Sequence, residues 1–89
     1  MKLFIAIGLP YYGEPGNVQV FRTRQRAENF YSVQRIIDHE HYGGHEIWIV
    51  ISEDITDVRG FITYEEAMNY KNSTCIELDY QIVHRHIIP

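Results

Sequence analysis

Three arginines at alternate positions form the densest group of cations in the chain: Arg22, Arg24 and Arg26. They fall where a helix is predicted to begin, so an anion would meet both the guanidinium groups and the free amides of a first helical turn. Tyr11 and Tyr12, in the preceding loop, could add flat faces for stacking. These five residues are the candidate site for a ligand or partner. In the alternative interpretation, the arginines form ion pairs with nearby glutamates on the surface.

The five histidines fall into two groups, one formed by His39, His41 and His45 and the other by His84 and His86. Imidazoles at short spacing are ligands that Zn²⁺ or Ni²⁺ would use. However, H-x-H-x3-H is a weak signature, and a solvated helix end explains the first group equally well. The second group continues the even-numbered face of the last strand, on the core side or just beyond its rim. We therefore predict no metal site and no cofactor, and keep a metal-dependent hydrolase as an alternative.

Nucleophilic catalysis finds little support in the sequence. Cys75 is a lone cysteine entering a strand, where a small apolar filler is the usual role. No serine lies in a nucleophile elbow. The glycine-containing loop at residues 8–16 has Glu14 where a phosphate-binding loop needs lysine, and a strand rather than a helix follows it. The chain is accordingly predicted not to be an enzyme.

In the first half of the chain, the apolar residues 3–8 predict a central strand. A loop rich in proline and glycine leads to a second strand at residues 18–21. Thr23 is the predicted N-cap of a helix. An apolar stripe at spacings of three and four predicts that this helix is amphipathic and reaches residues 39–42: Ala27, Phe30, Val33 and Ile37.

The second half repeats this plan. Residues 46–51 predict another central strand, a polar turn follows, and residues 58–62 predict a short strand. Thr63 and Glu66 form a capping box, so a helix is expected to begin at Tyr64 and to end near Lys71. Residues 76–82 alternate between apolar and polar and predict a last strand with one wet face. Trp48 is predicted to be a core anchor of the central strand.

Residues 18–30 align with residues 58–70 at an offset of 40, with five identical pairs. An internal duplication, with repeats 1–44 and 45–89, is one interpretation. The other is that any strand-to-helix junction requires these residue types. Either way the predicted fold is α+β, a single domain over residues 1–89. It has a mixed five-stranded sheet, two helices on one face and the order ββα-ββα-β.

The stretch V-x-V-F-x-T-x-x-x-A-x-x-F, at residues 18–30, resembles the strand–helix junction of small uncharacterised bacteriophage accessory proteins. The likeness covers residues 3–31 and, more loosely, residues 46–70. It implies a phage origin and a tiny non-enzymatic protein that binds and diverts host machinery. It carries no catalytic residues over to this chain.

Composition sets the remaining expectations. The 89 residues include eight Lys and Arg against twelve Asp and Glu, a formal charge of −4, which disfavours general binding to nucleic acid or to an anionic membrane. Residues 1–44 carry five basic and four acidic groups, and residues 45–89 carry three and eight. One cysteine and no apolar run of about 20 residues favour a cytoplasmic location, the host cytoplasm if the chain is phage-encoded.

The leading functional hypothesis is a non-enzymatic interaction protein that inhibits or modulates a host protein, for instance one of a defence system, by direct binding. The runner-up is a protein that binds or sequesters an anionic small molecule such as a nucleotide, through the arginines and tyrosines. A homodimer would cover the sheet face that two helices on one side leave open.

Overall fold

The computed structural model describes residues 1–8, 17–74 and 79–89. The described chain contains two units with the same element order, strand–strand–helix–strand. The N-terminal unit comprises β1 (Lys2–Gly8), β2 (Val18–Phe21), α1 (Arg24–Glu28) and β3 (Val33–Glu40). The C-terminal unit comprises β4 (Glu46–Ser52), β5 (Val58–Phe61), α2 (Tyr64–Ser73) and β6 (Tyr80–His86).

Each unit forms its own three-stranded antiparallel sheet. The strand orders are β2-β1-β3 and β5-β4-β6, so β1 and β4 are the central strands that their apolar sequences predict. The odd-numbered residues of β1 and β4 face the other sheet, and a shared core fills the space between the two inner faces. Its fully buried members on the two central strands are Leu3, Ile5, Ile7, Ile47, Ile49 and Ile51.

The two helices lie on the outer faces of different sheets. On the first sheet, Ala27 of α1 packs with Ala6 and Phe21 in a second apolar cluster. On the second sheet, Tyr70 of α2 contacts Phe61 with ring centroids 5.4 Å apart. The layers therefore follow the order helix, sheet, sheet, helix.

The α+β class is confirmed, but the predicted single sheet of five strands is wrong. There are two sheets of three strands, all paired antiparallel, and the helices do not share one face. The element order is ββαβ twice because the predicted first helix is in fact a short helix followed by a strand. The two sheets cover each other's inner faces, so the described fold is not the single sheet with helices on one side from which a homodimer was predicted. The homodimer itself stays a prediction.

The first helix ends early for local reasons. α1 has five residues, and Asn29 caps its C-terminus. Ser32 then takes a positive φ of 48°, which turns the chain before β3. The apolar stripe continued beyond this point because Val33 and Ile37 belong to a strand, where β-branched side chains pack well.

The predicted caps are confirmed. Thr23 accepts a hydrogen bond from the backbone N–H of Arg26 at 3.3 Å. Thr63 accepts from the backbone N–H of Glu66 at 3.2 Å, and α2 begins at Tyr64 as the capping box predicts. β6 begins at Tyr80, and the predicted strand residues 76–78 and Cys75 lie outside the described residues. Neither described helix has the length and hydrophobicity required to cross a lipid bilayer.

Candidate functional site: the open seam between the sheets

The two sheets meet along two seams, one between β2 and β6 and the other between β3 and β5. The first, which we call the closed seam, is bridged by hydrogen bonds. Arg85 donates its Nε–H to the carbonyl oxygen of Val18 at 2.8 Å. Beyond β6, Ile88 pairs with the free edge of β2, donating to Val20 O at 2.9 Å and accepting from Arg22 N at 3.1 Å.

The second seam, which we call the open seam, has different residues at the equivalent positions. His39 pairs with Leu3 as Arg85 pairs with Ile47, so a shorter imidazole replaces the guanidinium. Gly60 pairs with Ile49 as Val20 pairs with Ile5, so β5 lacks a side chain at this point. A Cβ on Gly60 would lie 2.7 Å from His39 Nε2 and 2.8 Å from Ile47 Cδ1. The glycine is therefore required for the imidazole to pack against β5.

A cleft of about 490 Å³ opens along this seam. The volume falls within the range of sites for small-molecule ligands. Its walls come from β3, from β5 and from the turn before β5. The lining residues are Ile5, Arg35, Ile37, Asp38, His39, Thr56, Asp57, Val58, Arg59, Gly60 and Phe61.

Two arginines contribute to the lining of the cleft, one from each sheet. Arg35 on β3 donates an Nη1–H to the carbonyl oxygen of Ile55. Arg59 on β5 donates its Nε–H to Asp57 at 3.2 Å, and its guanidinium lies 5.2 Å from the centre of the Tyr70 ring. Each guanidinium carries five N–H donors, so one bond leaves donors for an anionic ligand. Among the described residues Arg35 takes part in no salt bridge.

The carboxylate of Asp57 is already fully engaged with the protein. Its Oδ2 accepts from the hydroxyls of Tyr70, at 2.6 Å, and Tyr80, at 3.0 Å, and its Oδ1 accepts from Arg59. Burial raises the pKa of Asp57, but these three hydrogen bonds outweigh burial and hold the pKa below its ordinary value. Asp57 is therefore ionised at neutral pH, and it fixes Arg59 in place.

The other carboxylate of the lining, Asp38, is also paired. Lys2 lies 3.3 Å from Asp38 Oδ2, and Arg24 lies 3.3 Å from Asp38 Oδ1. Both negative charges of the cleft are thus offset by cations or hydroxyl donors, whereas the charge of Arg35 is not offset by a described carboxylate. Among the charged residues of the lining, Arg35 is therefore the one whose charge is available to an anionic ligand.

His39 lines the open seam, and its ring centroid lies 5.8 Å from that of His41. Burial lowers the pKa of His39, and the neighbouring His41 lowers it further. Burial also lowers the pKa of His41, which is 2% exposed and whose Nδ1 has no hydrogen-bond partner among the residues that the structure describes. His41 Nε2 lies 3.1 Å from the backbone oxygen of Glu46, so it is the protonated ring nitrogen of a neutral imidazole. Both rings are neutral at pH 7.

The structure gives each arginine of the predicted site a partner within the chain. Arg22 contacts Met1 Sδ and lies 3.5 Å from His45 Nδ1. Arg24 pairs with Glu28 as well as with Asp38, and Arg26 donates to the carbonyl oxygen of Pro89. Arg24 and Arg26 are exposed on α1, outside the cleft lining. Tyr11, Tyr12 and Glu14 lie outside the described residues.

The histidine groups are placed differently from their predicted positions. His39 and His41 lie at the end of β3 and just beyond it, and no helix ends there. His84 and His86 project from the outer face of β6, because Val83 is the residue of this strand that enters the core. Within the described residues, no group of three or more His, Cys, Asp or Glu side chains is arranged to hold a metal ion.

Trp48, predicted as a core anchor, lies half-buried on the outer face of β4 instead. It stacks on His84 with centroids 4.1 Å apart and meets Tyr64 edge-on at 5.1 Å. The residue faces outward because Ile47 and Ile49, its odd-numbered neighbours, enter the core.

Arg35 and Arg59 are lining residues that the sequence did not indicate. One feature of the alignment between residues 18–30 and 58–70 does indicate a site near β5. Gly60 occupies the position of Val20, which is buried in the core. A glycine replacing a core valine in an otherwise matching strand marks a place where another group comes close. Arg35 gave no such signal, because its strand was assigned to a helix.

Comparison of the chain with protein families, with curated proteins and with solved structures found no match in any of the three. The resemblance to phage accessory proteins therefore stays a prediction.

Proposed function

We propose that this protein binds a small anionic molecule, of the size and charge of a nucleotide, in the open seam and carries out no chemistry on it. One observation carries the proposal. The seam that Arg85 bridges on one side of the molecule is, on the other side, a cleft of about 490 Å³ lined by Arg35 and Arg59.

The arginines of the lining suit a ligand that carries a phosphate or carboxylate group. Guanidinium groups bind such anions through paired N–H donors, and these charge-assisted hydrogen bonds are stronger than neutral ones. Ile37 and Val58 also line the cleft and offer apolar surface for the rest of the ligand. Because the lining comes from strands of both sheets, a bound ligand would contact both units.

Thermal unfolding in the presence of AMP, ADP, cyclic di-GMP and inorganic phosphate tests the proposal. A ligand at ten times its Kd stabilises the folded state by about 1.4 kcal/mol. For a domain of this size that corresponds to a rise in Tm of roughly 6–11 °C. We expect such a rise with at least one nucleotide, and its loss in Arg35→Ala.

Arg26→Ala is the matched control, since it removes an arginine that lies at the closed seam. This variant should keep the ligand-induced rise in Tm. If Arg26→Ala loses the rise and Arg35→Ala keeps it, the ligand binds at the three arginines singled out from the sequence and the cleft proposal fails. A panel that leaves Tm unchanged would also count against it.

A further inference from the structure

Three large apolar side chains are exposed together around the start of α2. Tyr42 is 79% exposed, Ile62 45% and Tyr64 50%. Gly43, next to Tyr42, lies so close to Ile62 that a Cβ on it would be 3.2 Å from Ile62 Cγ2. The Tyr64 ring rests edge-on against Trp48. We call Tyr42, Ile62 and Tyr64 the apolar patch.

The N-terminal unit shows how the equivalent surface is covered. There Ile88 lies on the strand edge and packs with Phe21 and Ala27, and Phe21 is only 8% exposed. In the C-terminal unit the corresponding backbone N–H, that of Ile62, is bound instead by the Glu66 carboxylate of the same chain at 3.3 Å. Among the described residues, the edge of β5 at Ile62 thus lacks the backbone pairing that Ile88 gives to the edge of β2 at Arg22.

Charge indicates what could cover the patch. Glu65 and Glu66 follow Tyr64 in the first turn of α2, and Glu46 is exposed on β4, two residues before Trp48. Residues 45–89 carry eight acidic and three basic groups. A second copy docking through the same patch would bring these carboxylates against their own copies, which is repulsive. A partner that places an apolar anchor between lysines or arginines would meet opposite charges instead.

We propose that the apolar patch docks a partner protein through an aliphatic side chain flanked by basic residues. Tyrosine is among the residues that contribute most to protein–protein binding, because it buries a large rigid surface at low entropic cost. The proposal stands on a surface outside the cleft lining and is independent of ligand binding in the open seam.

Two synthetic peptides serve as probes, acetylated and amidated Lys-Leu-Ile-Leu-Lys and its counterpart Glu-Leu-Ile-Leu-Glu. They are titrated into the ¹⁵N-labelled protein, and the backbone amide signals are followed. We expect the lysine peptide to shift the signals of residues 62–66 saturably, and the glutamate peptide to bind at least tenfold more weakly. Tyr64→Ala should reduce the affinity for the lysine peptide at least tenfold. Tyr31→Ala, which removes another exposed tyrosine, should leave its affinity unchanged.

Three results would overturn the proposal. The first is the absence of a saturable shift at residues 62–66, and the second is equal affinity for the two peptides. The third is a dimer seen by sedimentation equilibrium that Tyr64→Ala dissociates, because the patch would then bind a second copy. Amide spectra of Tyr64→Ala that match the unmodified protein away from the patch show that the variant is folded.

Discussion

His41 and Ile87 occupy equivalent positions just beyond the last strands of their units, and both are buried. His41 donates its backbone N–H to Met1 O at 2.8 Å, and Ile87 donates to His45 O at the same distance. The chain therefore places an ionisable ring where its other unit has an aliphatic side chain. An imidazole in such a site is stable only when neutral, because the charged form loses its hydration.

This difference predicts a dependence of stability on pH. The folded-state pKa of His41 lies below 6.5, so below that pH the unfolded chain binds more protons than the folded one. The stabilisation is fully present above pH 6.5 and is lost as the pH falls through the lower, folded-state pKa. We expect the free energy of unfolding, measured with urea, to decrease between pH 7.5 and pH 5, and to decrease less in His41→Ile.

His39 contributes in the same direction, so His41→Ile should reduce the dependence without abolishing it. His45→Gln is the control, since His45 is exposed, and it should keep the full decrease. An equal decrease in His41→Ile and in the unmodified protein would show that His41 is not responsible.

At the scale of the elements, β5 can approach β3 because Gly60 has no side chain. Valine is the better strand residue, and β2 has one at the equivalent position. Gly60→Val would therefore stabilise an isolated strand, but here it places carbon atoms against His39 and Ile47. Steric overlap in a packed interior outweighs strand propensity, since the former costs about 1–3 kcal/mol and the latter spans about 1 kcal/mol.

We expect Gly60→Val to lower the free energy of unfolding by about 1–3 kcal/mol in urea denaturation. Gly44→Ala is the matched control, because a Cβ there would meet no atom within 4 Å, and its effect should stay within about 0.5 kcal/mol. If the Gly60→Val protein is as stable as the unmodified one, the open seam can widen to accept a valine without loss of stability, and the explanation given for Gly60 is wrong.

At the scale of the whole molecule, the two units share one core and should unfold together. Ile87 is 7% exposed and belongs to the cluster formed by both sheets. We expect Ile87→Ala to lower the free energy of unfolding by about 2–5 kcal/mol. The decrease in the free energy of unfolding should be the same by two measurements. Trp48 fluorescence reports on the C-terminal unit, and hydrogen exchange of the β1 amides reports on the N-terminal unit.

The exposed Ile62→Ala serves as the comparison and should change stability by less than about 0.5 kcal/mol. If the free energy of unfolding decreases by Trp48 fluorescence but not by exchange of the β1 amides, the two units unfold independently. The shared core would then not couple their stabilities.

Much of the local structure could be predicted from the sequence, because it depends on neighbouring residues. The caps at Thr23 and Thr63 and the central strands β1 and β4 follow from hydroxyl placement and from uninterrupted apolar runs. The turn between β4 and β5 was also predicted, and in it Ser52 and Thr56 donate to the Asp54 carboxylate.

The site was less accessible to prediction, because it depends on how two sheets meet. The stripe through Val33 and Ile37 fits a helix and a strand equally well, and only the turn at Ser32 separates the two. With β3 predicted as part of a helix, no sequence pattern could bring Arg35 and Arg59 to the same cleft. The arginines that the sequence did single out contact other groups of the chain: Arg24 pairs with Glu28 and Asp38, and Arg26 donates to the carbonyl oxygen of Pro89.

The pairing of Ile88 with β2 also fixes an order of events during synthesis. Residues 87–89 leave the ribosome after all other elements of both units, yet they complete the free edge of the second strand to be made. Until then the nascent chain exposes an unpaired edge, and an unpaired edge is a template for pairing with other chains. The protein is therefore most exposed to misassembly between the synthesis of β2 and the pairing of residues 87–89 with its edge.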